Sequence, residues 1–143
     1  MKKLIPVLLA IFMLMGSQVA LGATETKMSG NGVVSPASFE TISRGVCKIV
    51  NNGNGKINVS GSTSTYYGVE KIGLKLNVQY LSGGTWYTLD NYSYYKYNSA
   101  YVSGGQSLVV TGGYYYRVSS QHTSLNGDIS ESTQAYSEAI YIQ

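Results

Sequence analysis

The run from Lys71 to Tyr80 constrains this chain more than any other stretch. Ile72, Leu74, Leu76, Val78 and Tyr80 alternate with Lys71, Gly73, Lys75, Asn77 and Gln79. Successive strand side chains point to opposite faces, so this spacing lines one face with apolar groups and the other with polar ones. Each fully buried aliphatic of this kind contributes about 1.5–3 kcal/mol. A slip of one residue would expose all of them and bury two lysines, which fixes the register.

Shorter echoes of the pattern recur from Glu40 onward, where no window of helical length carries an apolar stripe at helical spacing. The pattern predicts strands over residues 44–50, 56–61, 71–80, 85–89, 92–97, 106–111, 114–119 and 136–142. Turns are expected at residues 51–55, at Gly83-Gly84 and at Asn126-Gly127, where Gly and Asn accept positive φ at low cost. Residues 62–67 and 123–134 are polar and read as loops. The parity of residues 85–89 does not match that of 92–97, so a bulge at Asp90-Asn91 is expected and the direction of Trp86 stays open. Seven to eight short strands separated by turn signals predict an all-β fold, a two-sheet antiparallel sandwich of immunoglobulin- or fibronectin-like kind.

The first 23 residues read as a signal peptide. Lys2 and Lys3 precede a charge-free apolar run over residues 4–15, too short for a ~30 Å hydrocarbon core. Small residues then offer a cut after Gly22 or Ala23. The expected organisation is therefore a signal peptide (1–23), a flexible N-terminal arm (24–39) and a β-sandwich domain (40–143). The chain is expected to be secreted and extracellular, with no membrane attachment after cleavage. Of ten basic residues two leave with the signal, so eight face seven acids. That balance does not support nucleic-acid binding.

Chemistry-bearing residues are few. With one His (His122) and one Cys (Cys47), a His/Cys metal cluster cannot be assembled, and an intrachain disulfide is impossible. Cys47 lies in an apolar stretch, which fits a buried thiol; a bridge to a partner is the other reading. His122 reads as a plain loop or strand-end residue. Asp128 and Glu131 are close in sequence but sit in a polar stretch with nothing apolar to raise either pKa, so glycosidase chemistry is not expected. No phosphate-cradling Gly-rich motif joins a strand to a helix. No enzyme, cofactor or metal is expected.

The compositional excess is tyrosine, fourteen residues against one Trp. Tyr suits half-buried strands and pairs well across them. If the long strand, the Tyr114 strand and the last strand share a sheet, Lys75, Asn77, Gln79, Tyr115, Arg117 and Tyr141 all point outward. Of these, Asn77, Gln79, Tyr115, Arg117 and Tyr141 are the candidate ligand-binding residues, for a cell-wall glycan or an extracellular protein. The alternative is a secreted inhibitor or antagonistic protein acting through loops at residues 62–67 or 123–134.

Two resemblances rest on quoted residues. Gly113-Tyr114-Tyr115-Tyr116-Arg117-Val118, followed by residues 137–142, resembles the last two strands of fibronectin type III and related immunoglobulin-like domains. A broader likeness rests on Ile42-Ser43-Arg44-Gly45, Asn52-Gly53-Asn54-Gly55-Lys56-Ile57-Asn58-Val59-Ser60-Gly61-Ser62-Thr63, Val78-Gln79-Tyr80-Leu81-Ser82-Gly83-Gly84-Thr85-Trp86, the Tyr114 stretch and Glu131-Ser132. Over residues 41–142 the chain resembles a family of small secreted proteins of Gram-positive bacteria, a domain family of unknown function. That resemblance implies an exported bacterial β-sandwich and carries no site.

Overall fold

The computed structural model describes residues 27–143, so the expected signal peptide lies outside the described residues. Seven strands follow one another: β1 (Ser29–Val34), β2 (Ile42–Gly53), β3 (Lys56–Ser82), β4 (Thr85–Val109), β5 (Tyr114–Asn126), β6 (Ile129–Tyr136) and β7 (Ile140–Ile142). All pair antiparallel in one sheet of order β1-β2-β3-β5-β6, with β4 on β3 and β7 on β5. The all-β antiparallel expectation is met. A division into two sheets, or an immunoglobulin-like arrangement, is not what the hydrogen bonding shows: one continuous sheet curls like half a barrel.

The curl follows from the length of β3. Its first half pairs with β2 from Ile57↔Asn51 to Thr65↔Ile42, and its second half pairs with β5 from Lys71↔Leu125 to Tyr80↔Tyr116. Along its other side β3 pairs with β4 throughout, from Lys56↔Val109 to Ser82↔Thr85. The register breaks between Ser64 and Val69, opposite Tyr101 and Ser99. Such an irregularity bends a strand and raises its twist. The apolar faces of the two halves then enclose one core, in which Ile49, Ile57, Ile72, Leu76, Val118 and Ile140 have no exposed surface. The alternation read over residues 71–80 is confirmed: Ile72, Leu74, Leu76 and Val78 are buried and Tyr80 packs against them.

Several expectations are corrected. Residues 62–67 are not a loop but the middle of β3, and residues 123–134 are the end of β5, a short turn and most of β6. The three strands expected over residues 85–111 are one strand, β4. Its bulge falls at Leu89, because Val78 pairs with Asp90 while Gln79 pairs with Thr88. Residues 29–34, placed in a flexible arm, form β1 and pair with Val50 to Gly45. The last predicted strand breaks at Ser137, which is buried; its hydroxyl accepts the Val118 N–H at 2.9 Å and donates to the Glu138 carbonyl.

The polar stretches join the sheet because their inward hydroxyls are paired. Thr63 Oγ1 donates to the Gly73 carbonyl at 2.9 Å and contacts His122 Nδ1 at 2.8 Å. Thr65 Oγ1 donates to the Tyr67 carbonyl at 2.7 Å. A buried polar group with a partner avoids the desolvation cost that would otherwise expel it. β1 closes the curl through Gly30 and Gly32, whose missing side chains let the backbone at Glu138 and Tyr136 approach; Glu138 N–H donates to the Asn31 carbonyl at 3.2 Å.

Gly45 on β2 performs the same service inside. A Cβ there would overlap the His122 ring, whereas one at Gly68 meets nothing within 4 Å. Gly45→Ala is therefore expected to lower stability by about 1–3 kcal/mol through overpacking. Gly68→Ala should stay within about 0.5 kcal/mol of wild type. Urea unfolding of the two variants checks this, and equal midpoints would contradict it.

Candidate functional site

The outward face of the second half of β3, with its neighbours β4, β5, β6 and β7, carries all five predicted site residues. Asn77 stands opposite Ser119 and Gln79 opposite Arg117. Tyr115 stands opposite Tyr141. Strand pairing therefore brings Gln79 and Arg117 into contact, with Arg117 Nε donating to Gln79 Oε1 at 2.9 Å. The Tyr115 and Tyr141 rings pack with centroids 5.1 Å apart and remain 49% and 37% exposed. Asn77 Nδ2 donates to the Ser119 carbonyl at 3.3 Å, so its amide is partly spent on the sheet.

Two residues of the face escaped the sequence reading. The Arg117 guanidinium lies 4.2 Å from the Trp86 ring centroid on one side and 4.7 Å from that of Tyr136 on the other. The bulge at Leu89 reverses parity within β4, so Trp86 shares the outward side with Leu81, its cross-strand partner, while Tyr87 stacks on Tyr80. Tyr136 was assigned to the start of the last strand; pairing with Ser119 puts it beside Arg117. Burial lowers the Arg117 pKa, partly offset by Tyr136, and the group stays a cation at neutral pH. The stack fixes the guanidinium as a flat, rigid cationic plate.

The face continues along the sheet as a shallow cleft lined by Lys71, Gly73, Lys75, Tyr95, Gln121 and Thr123. Lys71 Nζ sits 4.8 Å from the Tyr95 centroid and 5.7 Å from that of Tyr97. The surface is thus a mosaic of rings, amides and cations.

The remaining chemistry-bearing groups are elsewhere. His122, expected at a loop or strand end, is wholly buried on β5. The Thr63 hydroxyl gives its proton to Gly73, so it accepts from His122, which puts the imidazole proton on Nδ1. Nε2 then accepts from Ser120 Oγ at 2.8 Å. A Ser and a His in hydrogen-bond contact suggest a nucleophile and its base, but neither has exposed surface for a substrate to reach. Cys47 is also fully buried, which selects the buried-thiol reading, and burial pushes its pKa up.

Glu131, expected to be merely solvated, ties β6 to the start of β2. Its carboxylate accepts the backbone N–H groups of Glu40, Thr41 and Ile42 at 2.6, 3.0 and 2.9 Å, and the Thr41 hydroxyl. Burial raises its pKa, but these bonds outweigh it and hold the group at about 2. Among the described residues no group of three or more His, Cys, Asp and Glu lies close enough to hold a metal ion, and no helix is long and apolar enough to cross a membrane.

Comparison with protein families, with curated proteins and with solved structures gives no match to this chain.

The buried imidazole generates a pH prediction. Burial lowers the His122 pKa from 6.5 to about 4. Above pH 6.5 the folded and unfolded chains both carry neutral imidazole and the full stability is present. As pH falls, the unfolded chain takes up a proton that the folded chain refuses, at a cost approaching about 3 kcal/mol near pH 4. Glu131, held low, adds a further loss as pH falls below 4.5 toward 2. Urea unfolding from pH 7.5 to 4 is expected to show this decline; a flat profile would contradict it.

Proposed function

We propose that this chain is a secreted, non-enzymatic β domain that binds a cell-envelope glycan through the outward aromatic face of β3, β4, β5, β6 and β7. The observation that carries this reading is the Arg117 plate held between Trp86 and Tyr136, with Gln79 at its edge and the Tyr115–Tyr141 pair next to it on the same sheet face. Sugar rings present flat C–H faces rimmed by hydroxyls. Exposed aromatic faces stack on the former, while amide and guanidinium groups bond the latter. Arg117 spends only Nε on the protein among the described residues, which leaves its other donors for a ligand.

The leader read over residues 1–23 supports export. Membership in the family of small secreted proteins of Gram-positive bacteria, and a sandwich-like use of the curled sheet as two facing layers, belong to the same proposal. The Ser120–His122 contact, which has the make-up of a nucleophile and its base, is wholly buried, and this favours a binding role over catalysis at that pair. An inhibitor acting through loops draws less support, because residues 62–67 and 123–134 are mostly strand.

Retention on purified cell wall tests the reading. Wild-type protein should be held, and Tyr115→Ala/Tyr141→Ala should bind roughly 30-fold more weakly, from about 1 kcal/mol per ring. Trp86 is the chain's one tryptophan, so soluble wall fragments should change its fluorescence. Equal retention of both proteins, or of neither, would count against this face.

A further inference from the structure

We propose that the chain pairs with a second copy of itself along the free edge of β4, antiparallel and centred on Ser93. This inference does not depend on the glycan reading. β4 runs for 25 residues and, among the described residues, pairs with β3 alone, so its other edge has no strand partner there. Such edges are ordinarily protected by short length, proline or several lysines. β4 has no proline and only two charges, Asp90 and Lys96. Tyr95 and Tyr97 on it are 58% and 66% exposed.

The direction of each backbone group follows from β5. Val118 N–H donates to Ser137 Oγ, and the Val118 carbonyl accepts from Ser137 N–H. Val118 therefore points away from β3, and its neighbours Arg117 and Ser119 point toward it. These face Gln79 and Asn77, so the odd positions of β3 bond β5 and the even positions Leu74, Leu76 and Val78 bond β4. Their partners on β4 are Tyr94, Tyr92 and Asp90. By alternation Asn91, Ser93 and Tyr95 aim N–H and C=O out of the sheet. Asn91 N–H agrees, since it donates to Asp90 Oδ1 at 2.7 Å.

An antiparallel pair with its two-fold axis at Ser93 sets Ser93 against Ser93 and Asn91 against Tyr95, all outward-facing. It forms about six backbone hydrogen bonds. The same register sets Asp90 of each copy against Lys96 of the other. Asp90 and Lys96 stand opposite Val78 and Ile72, so they share one sheet face and meet across the junction. An axis at Asn91, Tyr92, Tyr94 or Tyr95 leaves both charges without an opposite charge, and an axis midway between two residues sets outward backbone groups against groups already bonded to β3. Only the Ser93 register in this stretch satisfies both charge and hydrogen bonding. The Asn91 N–H leaves its own Asp90 for the Tyr95 carbonyl of the second copy, which frees Asp90 Oδ1 for Lys96 while Oδ2 keeps the Tyr92 hydroxyl at 2.8 Å.

Sedimentation velocity of the processed protein tests this, with far-UV circular dichroism as the folding control. Wild type should sediment as a dimer. Ser93→Pro should sediment as a folded monomer, because the lost N–H points to solvent and not to β3. Asp90→Lys and Lys96→Glu should each be monomeric, and the D90K/K96E double variant should dimerise again. A monomeric wild type would overturn the proposal, as would a β4 edge occupied by a strand of a different protein. A dimer that survives the single charge reversals, or a double variant that stays monomeric, would overturn it too.

Discussion

Every strand in the described chain is held by β3, directly or through one neighbour. β2, β4 and β5 bond it, β1 hangs on β2, and β6 and β7 hang on β5. One strand can serve so many only if it is long and bent, giving one side to β2 and then to β5 while β4 follows the other side throughout. The irregularity between Ser64 and Val69 is therefore an architectural joint. It turns what would be a flat ribbon into a curl whose two halves share one apolar interior.

That interior is not uniformly apolar. Where the two halves meet, Thr63, Ser120 and His122 form a buried polar cluster whose side-chain polar atoms all have partners. Beside it, Thr41, Ser124 and Glu131 join the start of β2 to β5 and β6. Polar interiors of this kind are favourable only when complete, since one unpaired group costs about 1–3 kcal/mol. The cluster thus selects one alignment of the halves over others that would bury the same aliphatic area. It also dedicates the chain's one histidine to structure.

The same polar cluster explains what was legible beforehand. Ile72 to Tyr80 announced a strand because the buried side is aliphatic and the exposed side is not. Thr63, Thr65, Ser120, His122 and Ser124 obey the same period of two, yet hydrophobicity is blind to it because their inward groups are hydroxyls and an imidazole. Loops were accordingly expected over residues 62–67 and 123–134. The outward face was legible for Asn77, Gln79, Tyr115, Arg117 and Tyr141, since strand parity alone places them. Trp86 was not: the parity mismatch called for a bulge at Asp90-Asn91, but the side Trp86 takes depends on the extra residue falling at Leu89, which only the pairing with β3 reveals. Tyr136 was missed since its placement depends on the break at residues 137–139. The joint in β3 depends on pairing across long sequence separations, and a single stretch of sequence does not reveal it.

The claim on which everything rests is that β3 is one strand with partners on both sides of its bend. Nuclear Overhauser contacts test it most directly. Cross-strand contacts are expected at Ser62–Ser103 and at Lys75–Ser93, with Asn77–Ser119 on the opposite side of the same strand. A spectrum in which residues 62–67 form a loop without partners, or in which β4 pairs with only one half of β3, would contradict the account.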